Sequence, residues 1–105
     1  MDIHLVGPTG FLGESFCRLS QNIVSVGRSR PFNHSKKHIK IGSDFDFSIL
    51  DDECLEFVIF LIGSSDHEVI NNHPTLAFEM NVLPLAKFLY YCSKRNQKPK
   101  KVITF

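Results

Sequence analysis

Ile3-His4-Leu5-Val6-Gly7-Pro8-Thr9-Gly10-Phe11-Leu12-Gly13 is the stretch whose reading decides the fold. Four apolar or semi-apolar residues make a short buried strand, and Gly7-Pro8-Thr9-Gly10 stops it in a turn. Phe11, Leu12, Phe16, Cys17 and Leu19 then recur at roughly helical spacing, so a short helix follows over 11–20. Ile23-Val24-Ser25-Val26 is a second brief strand, closed by Gly27. Strand, glycine turn, helix and strand within 27 residues make one βαβ unit.

Working outward, residues 28–37 are polar and basic and read as loop. His38 to Ile41 reads as a third strand ended by Gly42, and Ser48 to Glu56 as a short helix with Ser48 as its N-cap. Phe57 to Ile62 is the most apolar run and lacks alternation, which suits a strand buried on both faces. Leu85, Phe88, Leu89 and Cys92 mark one face of a long helix over Pro74–Asn96. Pro84 should kink or divide that helix, because its ring removes a hydrogen bond. Pro99 marks the exit, and Val102-Ile103-Thr104-Phe105 begins a fifth strand. Alternating strands and helices imply an α/β fold, a Rossmann-like doubly wound parallel sheet in the order 3-2-1-4-5.

Composition is that of an ordinary soluble domain: 105 residues, 43% hydrophobic and 22% charged. A net charge of +1 leaves no broad positive excess for nucleic acid or an anionic membrane surface. Charge is nonetheless blocked, with five basic residues and no acid in 28–40, six acids and no base in 44–56, and six basic residues and no acid in 87–101. Such blocks usually form solvated faces. Three cysteines without C-x-x-C spacing (Cys17, Cys54, Cys92) read as buried, reduced thiols of a cytoplasmic protein. The opening residues carry no signal-peptide pattern, and no apolar run has the length of a membrane span. Five histidines share no metal-ligand spacing, and most of the ten phenylalanines fall at core-facing positions.

The glycines carry the chemistry. G-x-x-G-x-x-G between a strand and a helix is where a dinucleotide pyrophosphate finds backbone N–H donors and the positive end of a helix dipole. Gly7 and Gly10 leave room for close approach, and Gly13 lets the helix pack against the strand. Thr9, Phe11 and Leu12 belong to the same binding turn.

Gly7-Pro8-Thr9-Gly10-Phe11-Leu12-Gly13 after an N-terminal strand resembles the extended short-chain dehydrogenase/reductase superfamily, in its NAD-dependent epimerase/dehydratase group. Gly42-Ser43-Asp44-Phe45 is similar to the segment after that family's third strand, which implies that Asp44 and Phe45 lie against adenine. Phe57 to Gly63 is similar to its fourth strand, which implies Ile62, Gly63 and Ser64 beside the nicotinamide ribose. Asn81-Val82 resembles the helix Asn kept beneath the active site. The resemblance spans the whole chain but only the first half of a typical member, so residues 1–105 are expected to form one truncated NAD(P)-binding domain without its catalytic half.

The family's second strand ends in an acid when NAD is the cofactor. Here Val26-Gly27-Arg28-Ser29-Arg30 lacks the acid and offers two guanidinium groups suited to phosphate, which favours NADP(H) over NAD(H). The family's catalytic Y-x-x-x-K lies on the helix after the fifth strand. Tyr90-Tyr91-Cys92-Ser93-Lys94 matches it literally but sits on the helix before that strand, and reads as a packed tyrosine and a solvated lysine; no catalytic residue is assigned. Ser64, Ser65 and Asp66 suit either ribose contact or a helix cap. The expected function is the cofactor-binding half of a hydride-transfer enzyme acting on a sugar nucleotide or small carbonyl compound. The alternatives are a non-catalytic dinucleotide sensor or a remnant that binds nothing. An exposed sheet edge at the last strand should favour homodimers.

Overall fold

Ile3–Val6 (β1) lies at the centre of a five-stranded parallel sheet. The computed structural model describes residues 1–33, 35–62 and 71–104. Ile23–Gly27 (β2) pairs with β1 from Ile3↔Ile23 to Val6↔Val26, and Lys37–Lys40 (β3) lies outside β2. Phe57–Phe60 (β4) flanks β1 on its other side and Lys101–Thr104 (β5) closes the row. The order β3-β2-β1-β4-β5 is the doubly wound order expected from the sequence. Every residue of β2 is buried, whereas β3 and β5 carry exposed lysines at the two edges.

Side chains alternate across the sheet and build two cores. Leu5, Ile23 and Ile59 meet Cys17 of helix α1 (Phe11–Leu19) on one face. Val6, Val24, Val26, Val58 and Phe60 meet Phe47, Leu50, Phe88 and Cys92 on the other. Phe88 is fully buried and stands 5.4 Å, ring to ring, from Phe60. Truncating it to alanine would remove about 3–5 kcal/mol.

One element differs from the sequence reading. The helix expected over 48–56 is a single 3-10 turn, Phe47–Leu50, capped by the Asp46 carboxylate, which accepts from the Ser48 N–H at 3.0 Å. Glu53 and Glu56 would fall in the last turn of a helix over 48–56, at its negative end. Arg95 instead donates to the carbonyls of Leu50 (2.9 Å) and Glu53 (2.6 Å). The long helix expected over Pro74–Asn96 is divided, one of the two outcomes expected from Pro84: α2 is Pro74–Asn81 and α3 is Leu83–Lys94, with Val82 ending one and starting the other. Pro84 falls in the first turn of α3, where its missing N–H costs nothing.

Burial also corrects one smaller expectation. Cys54 is exposed, while Cys17 and Cys92 are buried and burial raises both thiol pKa values. Phe47, Phe60 and Phe88 are buried and Phe16, Phe45 and Phe57 half-buried, in keeping with the core-facing reading, while Phe11, Phe32 and Phe78 are exposed. Among the described residues no helix is long and apolar enough to cross a membrane.

Candidate functional site

The chain leaves β1 through Gly7 at φ +86, a conformation that favours glycine, with its N–H donated to Val26 O at 2.9 Å. A β-carbon there would stand 2.8 Å from the backbone nitrogen of Ile62. Pro8 is fully buried. It is wedged between two other glycines: a β-carbon on Gly27 would lie 2.7 Å from its Cδ, and one on Gly13 would lie 2.8 Å from its Cα and overlap its carbonyl. Gly13 therefore packs against the loop at Pro8, where the sequence reading had it packing against the strand. Gly10 differs from all three, because a β-carbon on it would meet nothing within 4 Å. It is the N-cap of α1 at φ −80, and no side chain caps that helix. The first N–H groups of α1 have no partner within the helix and a partial positive charge gathers there.

Gly10 opens onto a cleft of about 300 Å³, at the lower end of ligand-site volumes. Its walls are the segments that follow the first four strands: Gly7–Gly10 after β1, Gly27–Ser29 after β2, Ile41 and Phe45 after β3, and Leu61 and Ile62 after β4. This is the carboxyl edge of the sheet beside β1, where strand order reverses and open α/β sheets place their ligands. Among the described residues the lining holds one full charge, Arg28, and no carboxylate. The Arg28 guanidinium sits 5.7 Å from the centre of the Phe45 ring.

Of the residues expected from the sequence, Gly7, Thr9, Gly10, Arg28, Ser29, Phe45 and Ile62 line this cleft. Phe11 and Leu12, in the first turn of α1, are exposed and outside it. Gly13 is buried beneath the loop and offers packing only. Arg30 is separated from Arg28: it lies outside the lining, and its charge is felt by His38. Asp44 is exposed beside the cleft, and its carbonyl accepts from Lys87 Nζ at 2.8 Å. Asn81 lies on α2 and does not line the cleft. Gly63, Ser64, Ser65 and Asp66 lie outside the described residues. The sequence reading missed Pro8, Gly27, Ile41 and Leu61. Gly27 carried a legible signal, since a glycine closing β2 opposite a proline after β1 invites close approach.

The loop after β2 is held down by Glu14. Its carboxylate accepts from the N–H groups of Phe32 (2.7 Å) and Asn33 (2.8 Å), and the bonds from Asn33 above all pull its pKa below the ordinary value. Arg28 is thereby delivered on a loop fastened to α1. The Y-x-x-x-K match lies elsewhere: Tyr90 is exposed with Lys94 Nζ 5.1 Å from its ring centre, at the C-terminal end of α3. Tyr91 donates to Asp51 at 2.7 Å, and burial, aided by that carboxylate, pushes its phenol up to about 12. Neither tyrosine lines the cleft. Among the described residues no cluster of His, Cys, Asp and Glu has the makings of a metal site.

Compared with known proteins, the sequence matches no protein-family model and no curated protein.

Proposed function

We propose that the chain is a dinucleotide-binding domain that takes NADP(H) in preference to NAD(H). The observation that carries this reading is Gly10. Three of the glycines around the turn are filled by packing, and the fourth faces an open cleft at an uncapped helix N-terminus. Backbone N–H groups and the helix dipole there suit a pyrophosphate. Arg28 at the end of β2, with no carboxylate among the described residues of the lining, suits a 2′-phosphate and disfavours the acid-to-ribose contact of NAD sites.

The order of elements and the wording of the glycine turn support placement in the extended short-chain dehydrogenase/reductase superfamily, in its epimerase/dehydratase group. A bound nicotinamide would supply hydride transfer to or from a sugar nucleotide or small carbonyl substrate. The described lining offers only the hydroxyls of Thr9 and Ser29 as protic side chains beside Arg28. Proton transfer in this reading must therefore come from other groups. That same feature favours a second reading, a non-catalytic NADP(H) sensor or partner domain. Free thiols at Cys17, Cys54 and Cys92 suit a reducing, cytoplasmic setting.

Calorimetric titration with NADPH, NADH and ADP tests the binding claim. Saturable uptake with NADPH tightest supports it, and no heat or thermal shift with any of the three contradicts it. The β5 edge, with Val102 and Ile103 between Lys101 and Thr104, is the surface we propose for self-association. Sedimentation across a concentration series tests that, and a monomer throughout contradicts it.

A further inference from the structure

Phe45 has two unusual features. It is the only described non-glycine residue with a positive φ, +54, a region a bulky side chain seldom enters. Its ring also continues an aromatic column that begins in the core. Phe88 is fully buried; Phe47 stands edge-on to it at 5.1 Å; Phe45 stacks on Phe47 at 6.5 Å with 27° between planes. The turn carrying Phe45 is fixed at both ends, by its own N–H to Gly42 O (3.1 Å) and by Lys87 Nζ to Asp44 O (2.8 Å). A strained backbone and a stacked ring hold one aromatic face at the rim of the cleft.

Arg28 rests on that face, 5.7 Å from its centre. Among the described residues Arg28 forms no salt bridge. The Phe45 ring is thus the contact recorded for its guanidinium, and no carboxylate among the described residues pairs with its N–H fork. A cation over an aromatic face gains modest energy at an exposed site, and a planar guanidinium stacks while its edge stays free to donate.

We propose that Phe45 is a positioning residue for Arg28: the ring holds the guanidinium at the cleft rim so that a phosphate monoester on the ligand's ribose is recognised there. The proposal rests on the dinucleotide reading above. Discrimination between a 2′-phosphate and a 2′-hydroxyl then depends on a residue from the loop after β3, although the charge that reads it comes from β2.

The test is the ratio of NADPH to NADH dissociation constants, measured by calorimetry on the whole chain. The variants are Phe45→Gly, Phe45→Leu, Phe45→Trp, Arg28→Ala and the double variant Phe45→Gly/Arg28→Ala. Phe45→Gly is the informative one, because glycine suits φ +54 and the turn keeps its backbone. Phe45→Gly and Phe45→Leu should lower the NADPH preference by about two- to five-fold, the scale of an exposed cation–π contact. Phe45→Trp should keep the preference, and Phe45→Gly should have no further effect on the ratio once Arg28 is alanine. An unchanged ratio in Phe45→Gly overturns the proposal, and so does a wild-type chain that binds both cofactors equally. Failure of the wild-type chain to bind either cofactor overturns the dinucleotide reading itself.

Discussion

The α-carbon of Pro8 lies where a β-carbon on Gly13 would come within 2.8 Å of it. The third glycine of the turn thus lets the first turn of α1 close over the loop that leaves β1. The atoms it would strike are backbone atoms of a buried proline, and they cannot rotate away. Gly13→Ala should lower stability by roughly 1–3 kcal/mol through overpacking, read as a shift in the urea midpoint. A midpoint equal to that of the wild type would show that the loop yields more easily than this packing implies.

Acid should destabilise the fold in two stages. His38 is half-buried, with Nδ1 2.7 Å from the buried Ser25 hydroxyl. Burial first, and the Arg30 charge second, lower its pKa below 6.5. Folding thus favours the neutral ring, so this stability is whole above about pH 6.5 and is lost as pH falls through the folded value. Glu53 bonds Lys37 Nζ at 2.9 Å and His4 Nε2 at 3.1 Å, and these partners lower its pKa below 4.5. Its contribution is present above about pH 4.5 and fades below that. Urea midpoints at a series of pH values from 8 to 3 should fall in both windows. His38→Gln should flatten the upper fall and Glu53→Gln reduce the lower one, which Glu14 shares. A midpoint that rises between pH 7 and pH 5 would contradict the His38 assignment.

Arg95 holds the segment after the 3-10 turn in place of helix hydrogen bonds. Besides the carbonyls of Leu50 and Glu53, it donates to the Tyr91 hydroxyl at 2.7 Å. Arg95→Ala should cost roughly 2 kcal/mol, since bonds from a charged donor are worth more than neutral ones. Arg95→Lys should recover little, because one ammonium lacks the planar fork that serves both carbonyls. Equal stability of the lysine variant and the wild type would contradict this account.

Sequence patterns carried the topology because they are local. Apolar runs, glycine stops and helical spacing placed all five strands and their order, and Phe57 to Ile62 declared β4 through sheer apolarity. The 48–56 segment was misread because its geometry depends on Arg95, more than 40 residues away. The four glycines near the turn look alike in sequence, yet only the loop positions of Pro8 and Ile62 show which are filled and which is open. Arg28 and Arg30 are likewise equivalent on paper. The loop pinned by Glu14 sends one to the cleft and leaves the other near His38. The partnership of Arg28 with Phe45 joins two loops and left no local signal.

The most direct measurement compares NADPH binding and urea unfolding in the wild-type chain and in Gly10→Leu. A side chain at Gly10 meets open space at an unstrained φ of −80, so the variant should remain folded and unfold within about 1 kcal/mol of the wild type, the cost of leucine in place of glycine at an N-cap. On the proposed reading its side chain would fill the place a pyrophosphate takes at the helix, and binding should weaken by about tenfold or more, the loss of one or two charge-assisted hydrogen bonds. Equal affinity in the two proteins, or a wild-type chain that takes up no NADPH, would contradict the account at its centre.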